Sequence, residues 1–550
     1  MSRGGKSTGK YAKWYNVEYK CSATSKVNIN SFDLSVVNEL TLLQKTKDQN
    51  SEEIHRKIET DKEVNNIDKV YKIDHNQFGD AKGKELLSWK DHGVYDVVPR
   101  CEKKCISARW VCTLKQTENG LIPKARLVAR GFEERSDNIN KESPTCSKDS
   151  LRVVLGIINQ MKWQLNSIDI KTAFLQGKSI EREVYLIPPP EAKCPSDYVW
   201  SLKKCVYGLS DASLKWYQRV RSSLIDLGGK PSTLDPAVFS WHYQNKLIGV
   251  IAIHVDDFLW GGNDKFIKEI KPKLHQFFTV GNEEELAFRY LGLNINQVGS
   301  NVILDQKEYI EGLKPIKLPN LDKEERPLTK SERDLLRSKI GQLLWLSNQS
   351  RPDVCFDVSR LSVNLNNSTT ADICLLNKVI RKLKNTPYAI AYSRLEGPLK
   401  VVIYTDAAFG NLPDGGSQGA YLAFLADSKR NANIISWQSK RLKRMVRSSL
   451  AAETLEMCEA IDGGLYVSAL YCEIVYGKSS TRLPIEVVTD NQSLCDALAS
   501  SKYVSDRRLR IDIGSLKELI ADKHIEKITW VCAEEQLADF LTKNGAQART

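Results

Sequence analysis

Two adjacent acids, Asp256 and Asp257, constrain the fold more than any other feature, because they sit between two apolar runs, residues 247–255 and 258–260. Two such runs around so short a polar step read as a β-hairpin, which carries both carboxylates to its tip. No obvious cationic partner lies nearby, and two unpaired carboxylates side by side are costly unless something positive binds them. A divalent metal is the natural occupant. A third acid, Asp169, closes an apolar segment, residues 163–169, that reads as a strand running into a turn before Gly177. Hard oxygen ligands on strand ends suit Mg²⁺, which keeps its other positions for water and phosphate oxygens. Three carboxylates so placed would hold the metal pair that clamps attacking and leaving oxygens in nucleotidyl transfer.

At 550 residues the chain exceeds what one core organises, so two to four domains are expected. Lys and Arg outnumber Asp and Glu by 80 to 68, a net charge of +12 that suits a polyanionic partner. Thirteen cysteines scattered from Cys21 to Cys532, without a signal peptide or a transmembrane-length apolar run, point to free thiols in a reducing intracellular compartment. Cys101, Cys105 and Cys112 have no second Cys/His pair at zinc-finger spacing and read as ordinary thiols. The string Gly4-Gly-Lys-Ser-Thr-Gly-Lys10 imitates a phosphate loop, but Tyr11 follows it and no strand precedes it, so it reads as a flexible basic terminus.

Residues 1–80 are polar and rich in Lys, Asn and Asp, a linker or weakly ordered arm with one amphipathic helix near residues 34–43. A short helix at 85–89 leads into a strand at 94–98, and strands at 109–115 and 126–129 face each other across the Glu118-Asn-Gly120 turn. Helical apolar spacing recurs at 151–161 and 214–227. Ser331 to Asp334 resembles a capping box opening a helix with Leu336, Ile340, Leu343, Leu344 and Ser347 on one face. That helix must stop near Arg351-Pro352, a second follows at 354–365, and Pro387 with Gly397-Pro398 marks the next boundary.

The last 150 residues form a pattern of their own: a strand ending on Asp406, two more strands, and a long helix at 449–471 carrying Glu453. A strand ending on Asp490, a helical insert, a strand at 525–531 and a short helix carrying Asp539 complete it. Acids at strand ends usually just solvate or cap, but four in one such order favour a catalytic reading.

The strings Lys124-Ala-Arg-Leu-Val-Ala-Arg-Gly-Phe132, Ser167-Ile-Asp-Ile-Lys-Thr-Ala-Phe-Leu175, Val206-Tyr-Gly-Leu-Ser-Asp-Ala-Ser-Leu-Lys-Trp216 and His254-Val-Asp-Asp257 resemble, in order, the reverse transcriptase motifs of copia-type LTR retrotransposon Pol proteins. Tyr404-Thr-Asp406, Ser449-Leu-Ala-Ala-Glu453, Thr489-Asp-Asn491 and Leu537-Ala-Asp-Phe-Leu-Thr-Lys543 resemble the ribonuclease H domain that follows in the same family. The resemblance runs from about residue 82 to 544. It implies a multidomain α+β and α/β architecture, a right-hand polymerase of fingers, palm and thumb followed by a ribonuclease H-like α/β domain. The limits it suggests are an arm over 1–80, fingers and palm over 81–300, thumb or connection helices over 301–395, and ribonuclease H over 396–545.

The implied activity is RNA-directed DNA synthesis with cleavage of RNA in RNA–DNA hybrids. The alternative is an inactive nucleic-acid-binding relic. Mg²⁺ or Mn²⁺, two ions per active site, would be held by Asp169, Asp256 and Asp257 in the first site and by Asp406, Glu453, Asp490 and Asp539 in the second. Lys124, Arg126 and Arg130 would grip the incoming triphosphate, and Phe174 matches the family's aromatic gate against a ribose 2′-hydroxyl. Lys440, Arg441, Lys443, Arg444 and Arg447, five bases within eight residues, would contact hybrid phosphates, with Arg507, Arg508 and Arg510 extending the track. Implied partners are an RNA template, a DNA primer, the hybrid and deoxynucleoside triphosphates. No membrane is implied, and a homodimer or Pol and Gag partners are compatible with it. The implied location is cytoplasmic, in a virus-like particle, with the nucleus a second option. His254 replaces the usual Tyr of the family, and Ser210-Asp211 replaces Lys-Gln, adding a negative charge beside the nucleotide site. No protease triplet, zinc knuckle or integrase His-His-Cys-Cys arrangement is found in the chain.

Overall fold

The structure, a computed structural model, describes residues 17–19 and 75–543 except 101, 103, 118–119, 135–138, 320, 322–324, 479 and 503. Apart from 17–19, the expected arm up to residue 74, with its amphipathic stretch and basic start, lies outside the described residues. So do Cys101, the Glu118-Asn119 turn and residues past 543.

The central sheet is antiparallel throughout and has six strands, ordered Val280–Glu285, Asn166–Ile170, Asp257–Gly262, Lys246–His254, Val238–Tyr243 and Lys230–Pro231. Its two inner strands, Asp257–Gly262 and Lys246–His254, are buried almost end to end, which explains why they read as continuous apolar runs rather than alternating ones. Helix Lys148–Gln160 packs against this sheet, started by the Ser147 side chain, which accepts from Ser150 N. Helix Ala212–Asp226 supplies Trp216, whose indole donates to Val255 O (2.7 Å) and so ties the hairpin turn down. Ahead of the palm, helix Gly79–Asp91, a four-stranded sheet and the long hairpin Ala108–Thr117/Gly120–Ala129 form the fingers around a separate core.

The thumb holds three helices, Lys330–Gln349, Cys355–Val363 and Thr370–Asn385, about their own apolar cluster. Three sequence expectations need correction here. The capping box is Thr329 with Glu332, two residues earlier than Ser331 with Asp334, because Thr329 takes the extended conformation that a cap needs. Leu344 is exposed and Leu346 takes the buried place. The third helix is additional to the expected pair and begins just after the short turn Leu365–Asn367.

In the C-terminal domain the strands run in the order Val17–Tyr19, Lys527–Trp530, Ile485–Thr489, Lys400–Ala408, Gln418–Ala426, Ala432–Arg441. The last three pair antiparallel and the first three join parallel. The helix Ser449–Tyr476 is longer than expected and buries residues on nearly every side. It covers its own sheet and also packs on helix Lys148–Gln160 and strand Lys246–His254, so palm and C-terminal domain share one apolar core. Buried Arg152 sits at this junction: its guanidinium stacks 3.6 Å from the Trp437 ring centroid and donates to Ile435 O, Asn348 O and Gln349 O. Asp539 lies on a single 3-10 turn, Asp539–Leu541, rather than the expected helix. The architecture observed is an antiparallel sheet with a separate hairpin-bearing core and a three-helix bundle, followed by a mixed-sheet α/β domain, the layout that the expected fold calls for.

Candidate active sites

Strand pairing builds the first cluster. Asp257 lies directly opposite Asp169 on neighbouring strands, and Asp256 occupies the turn, its carbonyl accepting from Ile170 N (2.9 Å). Val255 in that turn has φ 58°, a left-handed conformation that costs a β-branched residue energy and aims the following carboxylate off the strand path. All three acids are half-buried. Burial and the neighbouring carboxylates push Asp257 up to about 6, and burial with the charge of Asp169 also raises Asp256. Gly281 sits over Asp169 at a bulge in strand Val280–Glu285; a Cβ there would fall 2.5 Å from Asp169 Oδ2.

The fingers hairpin presents Lys124 and Arg126 on its exposed face, alternating with buried Ala125 and Leu127. Lys124 lies within electrostatic reach of Asp169, and Arg126 within that of Asp256. Arg130 instead pairs with Glu133 (3.7 Å) at the strand's end. Phe174, on the 3-10 turn Ala173–Gln176, meets Tyr207 edge to face (5.0 Å between centroids), and Arg126 lies 5.3 Å from the same Tyr207 ring. Tyr207 thus packs between Phe174 and Arg126, a position its sequence context does not signal. Its loop hugs the hairpin: at Gly208 (φ 94°) a Cβ would come within 2.0 Å of Ala129 O. Asp211 does not add free negative charge. It is buried, 2% exposed, and both oxygens are held by Arg182 (2.6 and 2.9 Å), which also binds Glu134. His254 is half-buried with no partner for Nδ1.

The second cluster is tighter. Asp406 lies inside strand Lys400–Ala408, not at its end, because pairing with Gln418–Ala426 continues to Ala408. Glu453 reaches over from the first turns of helix Ser449–Tyr476, and Asp490 follows strand Ile485–Thr489. One oxygen from each lies within 4.8 Å of the others, and this is the one such acidic group among the described residues. Asp406 is 2% and Glu453 5% exposed, and Glu453 Oε2 is buried without a hydrogen-bond partner. Burial pushes Asp406 up to about 6 and holds Glu453 well above the carboxylate range, and it raises Asp490 too. An orphaned buried carboxylate oxygen beside two more carboxylates fits a divalent cation bound by hard oxygen ligands.

Asp539 stands just outside this trio, with its Oδ1 accepting from Lys543 Nζ. Thr542 Oγ1 donates to Asp406 Oδ2, and Gln536, buried, donates to Thr405 O (3.0 Å) to anchor the Asp539 turn beneath the strand. Glu456, a turn after Glu453, is fully buried with both oxygens unpartnered, and a Cβ at Gly419 would lie 2.0 Å from its Oε2. Nothing in the sequence pattern singles out Glu456, Gln536 or Gly281. Of the basic run, Lys440 pairs with Glu459 (2.7 Å), Arg441 with Asp414 (2.8 Å) and Arg444 with Asp512 (2.6 Å). Arg444, Arg447, Arg507 and Arg508 line a cleft of about 340 Å³ together with Asp506 and Asp512.

Residues 92–329 match the reverse transcriptase (RNA-dependent DNA polymerase) family. The retrovirus-related Pol polyprotein from transposon RE1 of Arabidopsis thaliana is 29% identical over 487 residues, covering 84% of this chain and 32% of that protein. The corresponding polyprotein from transposon TNT 1-94 of Nicotiana tabacum is 27% identical over 501 residues, 85% of this chain and 37% of that one. The chain therefore spans about a third of the length of the curated relatives it matches. Among solved structures, a foamy viral protease-reverse transcriptase in complex with double-stranded DNA is similar at 14% identity and a TM-score of 0.49, covering 83% of this chain and 69% of that one.

Proposed function

Since the chain carries a reverse transcriptase region of the copia-type retrotransposon Pol class, we propose that it extends DNA on RNA at Asp169, Asp256 and Asp257 and cleaves the RNA of RNA–DNA hybrids at Asp406, Glu453, Asp490 and Asp539. The observation that carries the reading is the presence of two separate acidic clusters, one at the palm hairpin under basic fingers residues and one around a buried, unpartnered Glu453 oxygen.

In the first site Asp169 and Asp256 would be direct ligands of Mg²⁺ or Mn²⁺, with Asp257 supporting them from the paired strand. Bound divalent ions supply activation of the attacking oxygen and neutralisation of the leaving one. Lys124 and Arg126 bind the triphosphate, since they face the acids and carry the complementary charge. Phe174, held against Tyr207, shapes the sugar pocket and excludes a 2′-hydroxyl; Phe174→Ala is expected to raise ribonucleotide incorporation, read by primer extension with single nucleotides. In the second site Asp406, Glu453 and Asp490 hold the ion, and the Asp539 turn completes the rim. An RNA template, a DNA primer, the hybrid and deoxynucleoside triphosphates are the corresponding partners.

Primer extension on poly(rA)/oligo(dT) with Mg²⁺, run beside cleavage of a labelled RNA–DNA hybrid, tests both halves. Extension without cleavage, or cleavage without extension, would remove the corresponding site from the reading. Absence of both with retained hybrid binding would mark the chain as a nucleic-acid-binding relic.

A further inference from the structure

Arg182 stands on the loop ahead of strand Tyr185–Leu186, and the chemistry above gives it nothing to do. Its guanidinium forks between two carboxylates. Nε and Nη2 donate to Glu134 (2.5 and 3.1 Å), and Nη1 and Nη2 donate to Asp211 (2.6 and 2.9 Å). The side chains of Arg182, Glu134 and Asp211 are 25%, 12% and 3% exposed, so the three form a mostly dry clamp and not a surface ion pair. Asp211 stands at the N-cap of helix Ala212–Asp226, where an Asp ordinarily accepts from the first amides of the helix, yet its side chain makes no such bond. The carboxylate is turned to Arg182 instead. The turn before Glu134, Gly131–Glu133, is pinned by Ser107, whose N and Oγ donate to Glu133 (2.7 and 2.8 Å).

We propose that Arg182 is a positioning residue for the nucleotide site, binding the end of the fingers strand to the start of the palm helix so that Tyr207, on the loop between them, is held in one orientation. The inference rests on reading the palm cluster as the polymerase site. Loop 206–211 is attached at its near end through Tyr207 O, which accepts from Ala129 N (2.8 Å), and through Gly208 O, from which a Cβ at Gly131 would lie only 2.3 Å. A loop held at that end alone can pivot about the strand. The Arg182 fork holds its far end, and two attachments fix the ring that the loop carries. That ring meets Phe174 on one side and Arg126 on the other, the residues placed at the sugar and at the triphosphate, so Tyr207 sets their separation. A single guanidinium can do this because its planar fork serves two carboxylates at once. The metal-side hairpin has a separate tether, the Trp216 indole on Val255 O (2.7 Å), so loss of the clamp disturbs nucleotide binding and sugar selection before it disturbs the chemical step.

Single-nucleotide extension of poly(rA)/oligo(dT) with Mg²⁺ reads KM and kcat for dTTP and the preference for dTTP over UTP, with Tm measured on the same preparations. Arg182→Ala is expected to raise KM by about tenfold, the size of effect that follows when the support of a reacting group is lost, with kcat falling less and the preference for dTTP dropping. It also strands the buried Asp211 charge, so Tm falls. Adding Asp211→Asn to Arg182→Ala removes the stranded charge: Tm should return toward that of the unsubstituted chain while KM and sugar preference stay altered. Unchanged KM and preference in Arg182→Ala, or their full recovery together with Tm in the double variant, would overturn the proposal and leave Arg182 as a neutralising partner alone. No extension by the unsubstituted chain would instead remove the polymerase reading, and the positioning role with it.

Discussion

The two acidic clusters solve the same electrostatic problem in opposite ways. In the palm the three carboxylates are half-buried, sit on a hairpin turn and the strand beside it, and have Lys124 and Arg126 on another layer of the fold within electrostatic reach of Asp169 and Asp256. In the C-terminal domain Asp406 and Glu453 are almost fully buried, three oxygens are gathered within 4.8 Å, and the positive charge comes from Lys543 on the same short segment as Asp539. The first cluster is open, and its bases lie on a separate layer of the fold. The second is gathered in advance in a buried setting. Preorganisation of this kind lowers the cost of binding but confines the carboxylates, and burial, with the neighbouring carboxylates adding to it, raises Asp406 and Glu453.

The sharpest way to break the comparison is to remove one acid from each cluster. Asp256→Asn is expected to abolish extension and leave hybrid cleavage near its original rate, and Glu453→Gln to do the reverse. Each loss should exceed the roughly 10–100-fold that removal of an outer-sphere partner costs at a metal site. Parallel extension and cleavage assays on the same preparations check it. Loss of both activities in either variant would mean that the shared core, not two independent sites, sets the chemistry.

A smaller effect of the same kind is expected at Gly281. The 2.5 Å approach of a new Cβ to Asp169 Oδ2 forces that carboxylate, or the bulged strand above it, to shift. Gly281→Ala should lower extension by about tenfold, a magnitude typical of disturbing a ligand's support rather than the ligand itself, without changing cleavage. Unchanged extension would show that the open palm site tolerates displacement and does not depend on preset geometry.

The difference between the sites also decides what can be read from sequence. Acids that interrupt apolar strands, such as Asp169, Asp256, Asp257, Asp406 and Asp490, are legible because a carboxylate in that setting lacks a packing reason. Strand ends are less legible, since pairing with Gln418–Ala426 carries the Asp406 strand two residues further and pairing is not local. The third thumb helix has a clear stripe of Ile373, Leu376, Ile380 and Leu383, but the turn residues before it hide its start. Asp211 reads as an exposed charge beside the nucleotide because its partner, Arg182, lies 29 positions away. Glu456 resembles any polar residue on a helix until the close pass of Gly419 buries it.

Glu456 allows the confinement argument to be tested without touching a metal-site acid. Burial raises its carboxyl from the usual 4.5 to about 8, against the lowering pull of the Lys440 charge and the Gln438 side chain. Folding therefore disfavours the ionised form. The stabilisation is whole below the unfolded-state value near 4.5 and is lost as pH rises through about 8. At about 1.4 kcal/mol for each pH unit that separates the folded and unfolded values, the loss is on the order of a few kcal/mol. Glu456→Gln should flatten this dependence and raise Tm at about pH 8–9 relative to the unsubstituted chain, with little change near pH 5. An equal pH slope in both proteins would place the titrating strain elsewhere in the domain.

The smallest expected effect concerns how the proposed hybrid-cleaving site would hold a duplex. Lys440, Arg441, Lys443, Arg444 and Arg447 lead into the helix that carries Glu453, and a backbone contact from each would steepen the dependence of hybrid affinity on salt by about one unit of log–log slope. Three of them already have acidic partners, Glu459, Asp414 and Asp512, so their charge is partly spent inside the protein. Replacing Lys440, Arg441, Lys443 and Arg444 together by Ala should therefore flatten the slope by about one to two units rather than four. Cleavage should slow through weaker binding, with KM rising more than kcat falls, and with little dependence on hybrid sequence. Binding isotherms at several salt concentrations give the slope. A full four-unit change would mean that the ion pairs open when the hybrid arrives, whereas no change in a folded protein would assign the run to surface solvation and leave duplex binding to the cleft around Arg447, Arg507 and Arg508.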